Sequence, residues 1–490
     1  MDGLGLHDTY SEAATRRWTL PRLAGLAALF LLGCGTVLLA EFLQRLESQG
    51  FELIARISPL KLFCVIAVGV VLVWLLIRYS EVALALFFLV GLVKGDPRLA
   101  SPVDLTLLVG AVVQLGLFYR LFIKRQVLRL PQEYLFYVPI LAMMILSLLY
   151  APDLSGGLDK LLRFVCLTSI GIIAPFTLFD NFDRMRRFFV TLALGGLGVA
   201  INSFAMLGGE DRMVSPSGLN TELGAASAVA LIIIWGMIFP RLSLGKRMLF
   251  YPVLGVLGVA LVGSGGRFAN VSAVLCILIG AILCRKLLLD VLIAGALGLL
   301  ALPFVQIPAA SFEYLASLIH PSQAMGTRDD LIRLGAQMFS QHPLLGVGVS
   351  GFRYLSPNPL TYNYPHNLFL EIGSEMGILP AFAFLGLALC AFLEIIRQLR
   401  DPLSRQNSLV PTVFLLLIYV FLDAMVSGDI NDLRFMWFVF GLPFVMRGLA
   451  STSGTLARAL RKVPRVLDMS IAGAAPLSSN SQGMPSSAGL

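Results

Sequence analysis

Apolar runs of about twenty residues recur along almost the whole chain, and they fix the solvent in which it folds. At 1.5 Å of rise per residue, ~20 helical residues cross the hydrocarbon core of a bilayer. Hydrocarbon offers no hydrogen bonds, so a spanning backbone must satisfy itself as a helix or a closed barrel. The runs are continuous rather than alternating, which selects helices. Of the 490 residues 57% are hydrophobic and 13% charged, with mean hydropathy +0.83. A soluble domain needs far more polar surface than this. The expected fold class is all-α: a polytopic transmembrane helix bundle of about 12–14 spans with a large helical loop on the outer side.

The candidate spans lie near 18–40, 59–77, 79–94, 102–122, 134–151, 160–179, 186–207, 218–239, 248–264, 267–284, 286–308, 365–396, 409–428 and 433–450. The pair around Arg78 reads either as two spans or as a long helix and a re-entrant piece. The organisation that follows is a tail at 1–17, a bundle of about 11 spans at 18–308, a loop with short helices at 309–364, C-terminal spans at 365–450 and a tail at 451–490. The first run reads as a retained span, with no cleavable signal peptide. The tail is basic at first, suited to anionic lipid, and expected to be disordered from Ala472. No internal repeat is evident.

The net charge of +8 is better explained by topology than by nucleic acid. With the N-terminus inside, the inner segments carry Arg16, Arg17 and Arg22; Arg78; Arg120, Lys124, Arg125 and Arg129; Arg184, Arg186 and Arg187; Arg241, Lys246 and Arg247; Arg285 and Lys286; Arg397, Arg400 and Arg405; and Arg447, Arg458, Arg461, Lys462 and Arg465. These are 24 of the 37 basic residues, so both termini are expected inside. The six cysteines (Cys34, Cys64, Cys166, Cys276, Cys284, Cys390) sit in or beside apolar runs and read as small hydrophobes.

Against that bias, three arginines on the outer side each need a reason. Arg212 ends the loop Gly208-Gly209-Glu210-Asp211-Arg212. Arg267 follows Gly263-Ser264-Gly265-Gly266 at the start of a span. Arg328 begins a helical stretch, Thr327 to Ser340. A guanidinium presents a fork of donors that fits phosphate oxygens, so the set suits a diphosphate whose lipid tail stays in the bilayer. Glycines before Arg267 would let backbone approach a ligand, with the free N–H groups of a helix start beside them. The competing account is ion pairing with Asp211, Glu222, Asp329 or Asp330, or solvation.

His366 is the second feature, in Tyr364-Pro365-His366-Asn367. Proline favours a first helical turn and places His366 at a helix N-terminus, which together with the arginines would keep its imidazole neutral. A neutral imidazole is the usual base for taking a proton from a hydroxyl. An interfacial histidine with no chemistry is the bland alternative. His320 and His342 stand beside prolines and read as turn residues; His7 is in the tail. Glu371 and Glu375, four apart on one helix face, could orient His366, pair with the arginines, or serve only as structural partners. Asp423 and the Asp429–Arg434 turn are similar cases near the outer surface.

The run from Arg328 through Gln341-His342-Pro343-Leu344-Leu345-Gly346-Val347-Gly348 to Tyr364-Pro365-His366-Asn367-Leu368-Phe369-Leu370-Glu371 and Glu375-Met376-Gly377-Ile378-Leu379 resembles the O-antigen ligase and polymerase family. Pro380 stands where the family pattern has a last glycine. Ser264-Gly265-Gly266-Arg267 looks like the family's Ser-Arg-Gly motif with an insertion, and Arg212 with Ser217, Gly218 and Asn220 resembles its arginine before a helix start. The specific match covers about a quarter of the chain.

The resemblance implies an enzyme of the bacterial inner membrane with its active site facing the periplasm. The donor would be a glycan on undecaprenyl diphosphate, and the acceptor lipid A-core or a growing polysaccharide. Transfer would be inverting, without metal, nucleotide or other cofactor. His366 would be catalytic; Arg212, Arg267 and Arg328 would bind the donor diphosphate; Tyr364, Asn367, Glu371 and Glu375 would support them. Ligase, O-antigen or exopolysaccharide polymerase and protein O-oligosaccharyltransferase differ only in acceptor, which the sequence does not choose. A lipid-linked oligosaccharide flippase is the competing class; it would need charged residues along a central cavity rather than at one face.

Overall fold

The computed structural model describes residues 69, 71–93, 104–128, 130–205, 213–301, 311, 326–356 and 364–462. Every regular element among them is helical. Seven helices are long and apolar enough to cross a membrane: α3 (Leu105–Ile123), α4 (Gln132–Tyr150), α5 (Leu154–Leu178), α6 (Phe182–Phe204), α7 (Asn220–Arg241), α8 (Leu244–Gly263) and α14 (Ile378–Arg400). The protein is therefore a multi-pass helical membrane protein. Shorter apolar helices are α9 (Arg267–Leu283), α10 (Leu288–Ala301) and α16 (Leu409–Ala424). The expected spans 18–40 and most of 59–77 lie outside the described residues.

The segment around Arg78 is a broken span. Helices α1 (Val71–Arg78) and α2 (Ser80–Leu92) meet at an angle of 104°. Around the expected outer loop lie α11 (Gly326–Gln341), α12 (Gly351–Leu355) and α13 (Leu368–Met376). A four-residue turn of helix, α15 (Pro402–Arg405), precedes α16, and α17 (Arg434–Lys462) closes the described chain. The chain divides into two compact units at Arg447, and α17 is helical on through Lys462 rather than ending near 450. The tail beyond, including the stretch expected to be disordered, lies outside the described residues.

Aromatic packing centres the first unit on α17. Trp437, Phe438, Val439 and Phe440 are completely buried. Phe438 meets Phe188 of α6 at 4.7 Å and Phe88 of α2 at 5.2 Å, while Trp437 meets Tyr137 of α4 at 5.3 Å and Phe384 of α14 at 5.8 Å. Such ring pairs add roughly 0.5–1.5 kcal/mol each beyond area burial. Helix α5 comes closer still: a Cβ on Gly171 would lie 2.5 Å from the Arg434 carbonyl oxygen. Of the cysteines described, Cys166 and Cys276 are buried and all four are free thiols.

Polar contacts sort the helix termini into two ends. At one, Arg187 and Arg184 face Glu81, Arg120 donates to the Thr177 carbonyl, Arg247 pairs with Asp290, and Arg447 binds both Glu133 and Glu394 at 3.0 Å. At the other end arginine–carboxylate pairs give way largely to neutral contacts and to a lysine: Asn220 Nδ2 donates to Ser264 O at 3.0 Å, the Tyr150 hydroxyl to Leu345 O at 2.6 Å, Asn367 Nδ2 to Met425 O at 3.1 Å, and Lys160 pairs with Glu371 and Glu375. Among the described residues Arg120, Arg184, Arg187, Arg247 and Arg447, all picked out by sequence as inner, thus make their contacts at a single end.

The expected span 365–396 is not one helix. Helix α13 stops at Gly377, whose φ of 89° and ψ of −173° suit glycine, and α14 restarts at Ile378. A Cβ on Gly377 would lie 2.1 Å from Leu344 O. Gly377→Ala is expected to cost on the order of 1–3 kcal/mol through backbone conformation and clash together, read as a lowered midpoint of thermal unfolding in detergent.

Candidate active site

The site is built around the short helix α13. Asn367 caps it, its side chain accepting from Leu370 N at 3.0 Å. Its C-terminal carbonyls would be stranded by the break at Gly377, and the Gly-rich turn supplies their donors. Val347 N donates to Ser374 O at 2.8 Å, Gly348 N to Glu375 O at 3.0 Å, and Ile378 N to Pro343 O at 2.8 Å. The chain can come this close because Gly346 (φ 68°) has no Cβ; one there would lie 2.3 Å from the Glu375 carbonyl carbon. Helix α11 packs alongside. Leu331 and Met338 bury against Phe352, and Gly335 lets the helix approach Pro365.

His366 immediately precedes the cap rather than occupying the first helical turn. Its φ is 56°, a left-handed conformation uncommon for a residue with a side chain. Nδ1 is buried with no hydrogen-bond partner among the described residues, and the ring stands edge-on to Tyr364 at 4.6 Å. Burial, and then the charge of Arg328, push the imidazole down from 6.5 to about 4. Burial pushes the Tyr364 phenol up to about 12.

Three of the expected groups share one electrostatic neighbourhood. Arg328, on the first turn of α11, acts on His366 and is itself lowered by burial and then by the charge of Arg267. Tyr364 and Asp423 oppose that lowering. Arg267 starts α9 after Gly266, as the glycine run suggested. The Ser264 hydroxyl accepts from Gly266 N at 3.2 Å, and Asn270 Nδ2 donates to Gly266 O at 2.9 Å, so the turn before Arg267 is held on both sides. Arg212 lies outside the described residues. Glu222, weighed above as an arginine partner, accepts from the hydroxyls of Ser217 and Ser215.

Among the described residues Glu371 and Glu375 pair with a lysine, not with Arg267 or Arg328. Both grip Lys160 of α5, Glu371 Oε1 at 2.6 Å and Glu375 Oε2 at 2.7 Å from Nζ, and both carboxylates are within 1% of full burial. Burial raises the Glu371 carboxyl, and Lys160 opposes that rise. In sequence Lys160 is one of three charges, with Asp159 and Arg163, at the edge of an apolar run, a place where an ionisable side chain invites a functional hypothesis. Asn431 completes the junction: its Nδ2 donates to Lys160 O at 3.0 Å and its Oδ1 accepts from the Thr168 hydroxyl at 3.0 Å. Among the described residues no three His, Cys, Asp or Glu side chains are grouped to hold a metal.

Beside Arg267 a cleft of about 940 Å³ opens between α7, α8, α9 and α10, lined by Trp235, Tyr251, Val259, Asn270, Val274 and Gly295 among others. Its lining is overwhelmingly apolar, and Asn270, one turn beyond Arg267, marks its end nearest the site.

A multi-pass helical membrane protein with two arginines and a histidine gathered at its less basic end is thus on view. Residues 252–385 match the model of the family described as O-antigen ligase, which supports the O-antigen ligase family for this chain. The matched stretch runs from α8 into α14 and contains Arg267, Arg328 and His366. No curated protein matches the chain.

His366 should titrate with a midpoint near 4, followed by NMR of ring-labelled histidine in detergent. Because its folded pKa lies below its unfolded value, its contribution to stability is complete above 6.5 and is lost as pH falls from there toward 4. A midpoint at 6 or above would contradict the buried setting.

Proposed function

We propose that this protein is an inverting, metal-independent glycosyltransferase that moves a glycan from undecaprenyl diphosphate to an acceptor hydroxyl. The observation that carries the proposal is the shared electrostatic neighbourhood of Arg267, Arg328 and His366 at the end away from the basic clusters. Cytoplasmic loops carry the excess of Lys and Arg, so the site end faces the periplasm of the bacterial inner membrane and both termini face the cytoplasm.

The acceptor oxygen attacks the anomeric carbon from the face opposite the diphosphate. The new C–O bond forms as the C–O bond to phosphorus-bound oxygen breaks, and the electron pair leaves with the diphosphate. The neutral His366 imidazole takes the hydroxyl proton. Arg267 and Arg328, joined by Arg212, offset negative charge that grows on the departing group, and fixed cations lower the barrier most where charge develops. Tyr364 packs the imidazole, Asn367 fixes its backbone, and Glu371 and Glu375 hold α13. The apolar cleft below Arg267 suits the polyprenyl tail while the diphosphate stays at the arginines. The acceptor is lipid A-core or a growing O-antigen or exopolysaccharide chain.

The test is a transfer assay in membranes with a defined lipid-diphosphate glycan donor and several acceptors. His366→Ala should lower kcat by roughly 10²–10⁴-fold with donor still present in the outer leaflet. Donor stranded in the inner leaflet would instead mark a flippase. Replacing Arg267 and Arg328 together with alanine should abolish transfer, and lysine at both should restore little, because the bidentate fork is lost. Full activity in the double alanine variant would refute the diphosphate clamp. As a base already neutral at pH 5, His366 should give an acid limb in kcat/KM near pH 4 rather than 6.5.

A further inference from the structure

The residue assigned to chemistry, His366, stands outside any helix, on a backbone in the left-handed region. In its own segment Tyr364 packs the ring and Pro365 meets Gly335, but the side-chain hydrogen bonds that tie the backbone beside it are those of Asn367, to α13 and to Met425. Placement of the imidazole therefore depends on how the nine-residue α13 is seated. Such a helix has little stability of its own, since nucleation costs more than so few turns return. Its C-terminal carbonyls are held by Val347 and Gly348, but these bonds fix one end only.

Along the length of α13 the only ionic attachment among the described residues is Lys160. Glu371 and Glu375 are one turn apart, so one ammonium reached by both fixes rotation and axial register together. A shift of α13 by a residue would turn one carboxylate off the shared face. The lysine is itself anchored: Asn431 Nδ2 donates to its carbonyl, and Ile430 N lies 3.4 Å from Glu371 Oε1. Lys160, α13 and the 430–431 turn form one junction, and Met425, which receives Asn367, lies just before that turn in the chain.

We infer that Lys160 is a positioning residue, which seats α13 through Glu371 and Glu375 and thereby places His366 against the two arginines. The ammonium sits where α5 begins, touches no reacting atom, and acts through geometry alone. The inference rests on the proposed glycan transfer only for the use made of the imidazole. Two carboxylates on one ammonium leave Glu371 Oε2 and Glu375 Oε1 without hydrogen-bond partners among the described residues. The arrangement therefore serves placement more than balance of charge.

The experiment uses the full chain in lipid nanodiscs. Lys160→Met is compared with the triple variant Lys160→Met, Glu371→Gln, Glu375→Gln, which removes the tether without leaving buried unpaired charge. The readouts are kcat and KM with a synthetic polyprenyl-diphosphate glycan, and the titration midpoint of ring-labelled His366. Expected in both variants is a fall in kcat of roughly 10²-fold, with donor KM within about threefold, as for a catalytic group displaced by about an ångström. The His366 midpoint should climb from about 4 toward 6.5 as the ring leaves its buried place.

If Lys160→Met fails to assemble, the triple variant decides the matter. Wild-type kcat with an unmoved midpoint in the triple variant would overturn the inference, because placement would then survive without the tether. A rise in KM matching the fall in kcat would also overturn it, by pointing to lost donor binding. Should the wild-type protein transfer no glycan, the titration arm still tests the role of Lys160 while the functional proposal falls.

Discussion

A helix that ends among buried side chains leaves carbonyl oxygens without donors, and in a largely apolar protein that cost must be met by other backbone. Here it is met at Met376, where the turn through Pro343 to Gly348 lies across the break and satisfies both sides of it. Two motifs that look independent in sequence are therefore one object. The glycines of the first exist because the backbone of the second is too near for a Cβ, as at Gly346 against Glu375. The stub of helix so created is what carries the histidine and its cap to the rim of the bundle.

Much of this was legible in the sequence. The helical class followed from hydropathy, the Gly-rich turn from its composition, and the helix beginning at Arg328 from its pattern. His366 and the arginines stood out because their charge and chemistry conflict with an apolar setting. The break at Gly377 was hidden, since a window of twenty apolar residues averages over a change of direction at a single glycine. The partner of Glu371 and Glu375 was hidden for another reason. Lys160 lies more than 200 positions earlier in the chain, and pairing across such a distance is set by packing, which no local pattern reports. His366 was expected at the helix N-terminus and lies just before it, because proline marks a helix start only approximately and Asn367 is the cap.

Charge is distributed unequally between the two ends. At the basic end guanidinium groups meet carboxylates directly, as Arg447 does with Glu133 and Glu394. At the other end the charge of Arg267 adds to burial in raising the cost of charge on Arg328. Under the proposed function, a diphosphate held by both groups would offset that cost.

The left-handed backbone at His366 has an implication for drift under mutation. For an L-residue that conformation carries a penalty of roughly 1–2 kcal/mol, which glycine escapes. Folding by itself would thus reward losing the ring. An imidazole kept at a place where the main chain would rather have no side chain is what the proposed role as a base would require.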